Sequence, residues 1–275
     1  MILYLFLAHL GVGIAFTLAL VSREAGVKFF RFNAGLAAIL IASALAFRSQ
    51  SLESAPPPAE AGAALARLGL LALVVSEAAI VLYWATVGRT LARIRPAIVT
   101  IGVGSGVVAL ILQAFAISSG DSVPFKILTI ASFLSSAALL GSSCTAMILG
   151  HWYLVIPSLE VRHLQSVVKV HVASMVVRIA VVVAAVFAGL VLFEAGPAAD
   201  VGNFRRFITS LDGIFFWQRV LFGLVGPAVL SYLTWETAKI RSTQSATGIL
   251  YVDFFTVVVG EVLAKYLLLA TRVPL

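Results

Sequence analysis

The chain has 275 residues, of which 61% are hydrophobic and only 11% charged, with a net charge of +7 and a mean hydropathy of +1.08. Soluble domains carry roughly 25% charged residues, so a surface this poor in charge has lipid as its main solvent and leaves no polar segment for a separate soluble domain. The single Cys144 excludes an intrachain disulfide framework and a cysteine-ligated iron–sulfur cluster within the chain, and the basic excess suits cytoplasmic loops and anionic lipid better than nucleic acid.

In chain order, MILYLFLAHLGVGIAFTLALVS is long and uniform for a signal-peptide core, and its charged stop SREAGVKFFRF has no small-residue cleavage site. It reads as a retained first span. Seven further apolar runs are long enough to cross, giving spans at about 2–22, 32–47, 67–88, 97–118, 127–150, 172–194, 213–235 and 251–270,. Lipid leaves no partner for unpaired backbone groups, so each span is predicted to be helical. The expected fold is an all-α, polytopic bundle of about eight transmembrane helices, a single domain over residues 1–275.

The charges outside the spans test this count. Connections after the odd-numbered spans hold Arg23, Lys28, Arg31, Arg89, Arg93, Arg95, Arg162, Lys169, Lys239 and Arg241 against Glu24, Glu160 and Glu236. The other side holds six basic residues (Arg48, Arg67, Lys126, Arg205, Arg206, Arg272) against six acids (Glu53, Glu60, Asp121, Glu194, Asp200, Asp212). The sides therefore carry +7 and zero, which predicts both termini outside; the membrane expected is the bacterial cytoplasmic (inner) membrane. The longest outer connections, RSQSLESAPPPAEAGAALAR and the stretch around AGPAADVGNFRRF, are too short for a folded domain. No internal repeat is evident, which counts against a transporter of inverted halves. Small residues in the fourth and fifth spans (Gly102, Gly104, Gly106, Ser135, Ser136, Gly141, Ser142, Ser143) read as helix-packing positions.

Six ionisable side chains fall within spans: Glu77, Arg178, Arg219, Asp253, Glu261 and Lys265. A charge at a helix centre costs about 2.5–3.5 kcal/mol on insertion scales, so such residues pair, face the interior or line a wet path. Asp253 and Lys265 lie towards opposite ends of the last span and read as interface anchors, the lysine snorkelling outward. Glu77 and Glu261 are central, and either can pair with Arg219. Such a pair either fixes helix packing or supplies a proton-accepting carboxylate, the job for which Glu77, Glu261 and Arg219 are the catalytic candidates.

Three of the four histidines, His151, His163 and His171, lie in GHWYLVIPSLEVRHLQSVVKVH around the fifth connection. With Trp152 and Tyr153 they suit an amphipathic belt at the headgroups. A single haem b between His151 and His171, or a proton or quinone role, are the alternatives, and His9 in the outer half of the first span is a further cofactor-binding candidate. His163 and His171 would lie about 80° apart on a continuous helix, a poor chelating pair. No HExxH motif or Gly-x-Ser-x-Gly elbow is present,. Pro157 is expected to end or bend the fifth helix, with Ser158 capping an interfacial helix from Leu159.

The last two spans, WQRVLFGLVGPAVLSYL and YVDFFTVVVGEVLAKYLLL, resemble the end of the membrane-anchor subunits of dimethyl sulfoxide reductase-type complexes (DmsC and, more distantly, NrfD). The residues carrying the resemblance are Trp217, Arg219, Gly260, Glu261 and Tyr266, with Ser76 and Glu77 in the third span. The resemblance implies a quinone-handling anchor: menaquinone or ubiquinone in the membrane, with iron–sulfur and catalytic redox subunits docked outside. A His-Leu-Gly element near the outer end of the second span is frequent in that family, whereas this chain reads ALAFRSQSL there. The alternatives are a b-type haem cytochrome subunit and a proton-coupled small-solute transporter.

Overall fold

The computed structural model describes residues 1–53, 60–89, 92–156, 160–192 and 204–275. Its long helices are α1 (Ile2–Leu20), α2 (Val27–Glu53), α3 (Glu60–Thr86), α4 (Arg95–Ile117), α5 (Val123–Val155) and α6 (Val161–Leu192). A short α7 (Phe204–Thr209) precedes a seventh span made of α8 (Ile214–Val220), a π-helical turn at Leu221–Val225 and α9 (Gly226–Lys239), and α10 (Thr243–Thr271) closes the order. Among the described residues eight helical segments are long and apolar enough to cross a membrane, giving the chain an all-α, multi-pass membrane architecture.

Several helices outrun the apolar stretches that predicted them. The sixth begins at Val161 rather than near residue 172, because hydrophobicity marks the hydrocarbon layer whereas backbone hydrogen bonding continues through the headgroups. Residues 157–159, where a break and cap were expected, lie outside the described residues.

The bundle is layered. Helix α3 packs on α4 and α2, while α1 and α5 meet in the middle and α5 also meets α6 and α10; α9 closes against α6 and α10. Helix α1 is the most enclosed span and α3 the least. With eight antiparallel spans both chain ends fall at one end of the bundle, where Leu5 and Leu268 share a buried apolar cluster.

At the opposite, basic end, Glu24 is held by Arg162 at 2.7 Å and His163 at 3.2 Å, tying the first connection to the start of α6. The Tyr153 hydroxyl accepts from Leu164 N–H at 3.2 Å and donates to the Glu160 carbonyl. Lys169 and Lys239 both lie over the Trp235 ring.

One glycine contact sets how closely α1 and α5 cross. Gly13 of α1 lies against Gly141 of α5, and a Cβ on either would strike the other helix's backbone. Such close approach is how helices associate where lipid removes the hydrophobic drive. Gly141→Val should therefore destabilise the bundle by about 1–3 kcal/mol, the usual cost of overpacking. The check is thermal unfolding in detergent, followed by the reactivity of Cys144, which is free and buried. An unchanged midpoint would show that the crossing is looser than this geometry.

Candidate functional site: a buried ionic centre and a histidine–aspartate layer

Glu261 is fully buried on α10, and four helices bring donors to it. Arg178 of α6 binds it bidentately, with Nε donating to Oε1 at 2.9 Å and Nη2 to Oε2 at 3.1 Å. Arg219 of α8 donates from Nη2 to Oε1 at 2.9 Å. Lys265, one turn along α10, donates to Oε2 at 2.9 Å, and the Ser136 hydroxyl of α5 donates to the same oxygen at 2.5 Å. Arg178, Arg219 and Lys265 are themselves buried. Fork-to-fork arginine–carboxylate bonds of this kind fix geometry as well as supplying energy.

The surrounding backbone explains why these side chains converge. Gly223 in the π-helical turn and Gly260 on α10 touch with no Cβ between them, and a side chain on either would collide. The seventh span thereby approaches α10 closely enough for Arg219 to reach Glu261, while Arg219 Nη1 donates to the Gly223 carbonyl at 2.8 Å. Single-turn π segments cluster at functional sites. Arg178 spends its remaining donors on Ser132 (carbonyl at 3.1 Å, Oγ at 2.9 Å), on Ser135 Oγ at 3.4 Å and on the main-chain oxygen of Leu275 at 2.9 Å.

His9 stands at the edge of this centre. Its Nδ1 lies 3.1 Å from Ser136 Oγ, and Lys265 also donates to that oxygen. The one Ser136 proton goes to Glu261, so Nδ1 is the donor and Nε2 is left as a buried acceptor without a partner among the described residues,.

A second polar layer lies nearer the basic end. His171 on α6 and Asp253 on α10 are both fully buried, with Nε2 2.8 Å from Oδ2. Ser231 Oγ of α9 is 2.9 Å from the same nitrogen, and Ser142 Oγ is 3.5 Å from Nδ1. The Ser143 hydroxyl donates to Asp253 Oδ2 at 3.2 Å. This is not a nucleophile–base–acid relay: Ser231 shares a ring nitrogen with Asp253, and Ser142, on the other nitrogen, donates its proton to the Leu139 carbonyl at 3.2 Å rather than to the imidazole,. Seven residues separate His171 from Arg178 and eight separate Asp253 from Glu261, which puts the layers about 10–12 Å apart along the helices. Asp253 Oδ1, Thr145 Oγ1 and Thr234 Oγ1 are buried with no partner among the described residues. Orphaned polar atoms of this kind mark places for water.

Beside the ionic centre an apolar cavity of about 310 Å³ opens on the flank between α1, α4, α5 and α6. Val12, Phe16, Val107, Leu110 and Leu134 line it, its one hydroxyl is Ser135, and its rim includes Val177, which is exposed. Ser135 thus faces the cavity while its Oγ accepts from Arg178. Comparison with family models and with curated proteins finds no match for the chain. The arrangement of side chains is accordingly the ground for any functional reading.

Set against the sequence expectations, the structure makes the Glu261–Arg219 pair and not a Glu77–Arg219 pair. Glu77 is half-buried on α3, away from α8 and α10, with Oε2 buried and lacking a hydrogen-bond partner among the described residues. The expectation that Asp253 and Lys265 anchor the interfaces is overturned, because each is enclosed and paired inside the bundle. His151 and His171 do not face each other across a haem site. His151 is exposed, with Nδ1 2.9 Å from the Tyr251 hydroxyl, whereas His171 meets Asp253. Tyr251 and Asp253 are two residues apart on α10 and so point about 200° apart, which sends the histidines to different sides of that helix. His163 is engaged with Glu24. Among the described residues no group of three or more His, Cys, Asp or Glu side chains could hold a metal.

The sequence reading gave no role to Arg178 or to the partnership of Ser136 with Lys265. Lys265 follows Glu261 by four residues, a pairing spacing legible in any helix. Arg178 follows His171 by two turns on the same face, so one face of α6 carried both layers.

Proposed function

We propose that the chain is the membrane-anchor subunit of a redox complex and exchanges electrons and protons with a membrane quinone. The observation that carries this reading is the lateral cavity: an apolar chamber whose hydroxyl, Ser135, leads to Arg178 and Glu261. Its volume, about 310 Å³, falls at the lower end of ligand pockets, roughly 300–1,000 Å³. A quinone head enters from lipid, packs on the apolar lining beside Ser135, whose hydroxyl donates to the Ser132 carbonyl at 3.2 Å, and meets the field of a positive centre that stabilises negative charge developing on its oxygen. Quinol oxidation releases two protons, for which the His171–Asp253 layer supplies an acceptor one step towards the basic end. Both termini outside, iron–sulfur and catalytic partner subunits docked on that side, and a bacterial inner membrane complete the reading, and the resemblance of the last two spans to DmsC and NrfD anchors agrees with it.

The test is to fill the cavity without touching the ions. Val107→Trp, on the partly exposed face of α4, should leave the unfolding midpoint within about 2 °C, yet lower the quinone retained by the purified protein at least tenfold. Full retention with a correctly placed tryptophan would refute the cavity as the quinone site.

The π-helical turn of the seventh span beside buried ions favours a second reading, a proton-coupled small-solute transporter, since π turns inside helices recur at functional sites and buried ionisable groups mark proton and substrate paths. Substrate-dependent proton flux in liposomes holding this chain alone separates it from the first.

A further inference from the structure

Counting donors at the ionic centre leaves a surplus that the chain does not satisfy. Arg178 engages its Nε and both Nη groups with Glu261, Ser132, Ser135 and Leu275. Arg219 is different. A guanidinium has five N–H donors, but among the described residues its Nη1 meets only Gly223 and its Nη2 only Glu261. Its Nε is buried with no acceptor among them. Three N–H groups of a fully buried side chain therefore point at no acceptor on the described chain.

Charge gives the same result independently. Arg178, Arg219 and Lys265 are three basic side chains in ion-pair contact with one acid, Glu261. Asp253, on the neighbouring layer, is engaged by His171. Among the described side chains two of these positive charges are unmatched; such charge inside a bilayer is costly, and a counter-anion lowers that cost while supplying acceptors to the idle donors.

We propose that Arg219, with the field of Lys265 and Arg178 behind it, holds a small anion of halide or formate size on its unspent N–H groups. Arg219 is five residues, about 7–8 Å, into α8 from Ile214, so the anion enters from the end of the bundle that carries the termini. This site is separate from the quinone reading, whose ligand occupies the cavity beside Ser135, and either can fail without the other.

Purified protein in detergent, prepared in gluconate buffer, is titrated with sodium bromide and separately with sodium formate, and unfolding is followed by a thiol-reactive fluorophore on Cys144. The unfolding midpoint should rise saturably, by about 5–10 °C at a hundredfold excess over half-saturation. Arg219→Gln should abolish the saturable part, while Arg162→Gln, an exposed cation on α6, should keep it. If Arg219→Gln yields no folded protein, Lys265→Gln is decisive: a half-saturating concentration raised at least tenfold supports the site, and an unchanged one overturns it. Absence of saturable stabilisation by both anions in the unmodified protein also overturns it, assigning the idle donors to water. The same saturation curve in folded Arg219→Gln would place the anion elsewhere.

Discussion

Glu261→Gln should lower the unfolding midpoint by roughly 6–20 °C, or prevent the protein from accumulating in the membrane. Removing one partner of a buried ion pair typically costs about 3–5 kcal/mol, and about 2–4 °C accompany each kcal/mol in a chain of this size. The cost comes from what remains rather than from the lost bonds alone. Without the carboxylate, Arg178, Arg219 and Lys265 face one another in low dielectric, and Ser136 loses the oxygen to which it donates. The double variant Glu261→Gln, Lys265→Gln should recover part of the loss by removing one of the three repelling groups. A general packing defect would instead deepen with the second change. Thermal unfolding followed at Cys144 measures both, and a midpoint unaltered in Glu261→Gln would show that the acid is dispensable. On the quinone reading the single variant also loses quinol-linked turnover, so stability and turnover must be measured on the same preparation.

The spans were legible because lipid imposes one rule on every helix: a run of about 20 apolar residues with few charges. Residues 97–118, for instance, match Arg95–Ile117 to within two positions. The site was legible only in part, because composition shows how costly a buried charge is but not which helix carries its partner. Glu261 and Arg219 stood out by depth, and they do pair. Glu77 stood out by the same criterion, yet α3 lies on the far side of α4 from α10, a matter of three-dimensional packing order that no spacing encodes. By size, Ser135, Ser136, Ser142 and Ser143 of α5 read as packing residues, and Ser132 carries no sequence signal. Gly141 fits that reading, but Ser132, Ser135 and Ser136 also act as hydrogen-bond partners of Arg178 and Glu261. A hydroxyl is small and polar at once, and only a neighbouring charge decides which property matters. Lys265 was misplaced for a related reason: snorkelling is the rule for a lysine near a helix end, and it fails where an acid one turn away gives the ammonium a nearer partner.

On the quinone reading, Asp253→Asn should slow quinol-linked turnover of the proposed complex by about 10²-fold or more, the scale lost when a positioned proton acceptor is removed, while leaving quinone retention intact. The amide keeps the volume of the carboxyl and can still meet Ser143 and His171, so the fold is preserved. What disappears is the ability to take up a proton beside the imidazole. Asp253 and His171 each stand ten residues from the basic-end start of their helices, Thr243 and Val161, about 15 Å along the axis,. The buried, unpartnered hydroxyls of Thr145 and Thr234 provide places for bridging water in the same region,. On that reading, a proton leaving the ionic centre meets His171–Asp253 first and then the hydroxyls of Thr145 and Thr234 towards the basic end. Because the two residues act as one unit, His171→Gln should cost about as much as Asp253→Asn, and the double variant little more than either, the non-additivity expected of groups that share a step. Turnover recorded with a pH-sensitive dye inside proteoliposomes of the complex gives both rate and side of release. Activity within twofold of the unmodified complex in Asp253→Asn would remove this layer from the proton path and leave it the role of a helix clamp between α6, α9 and α10.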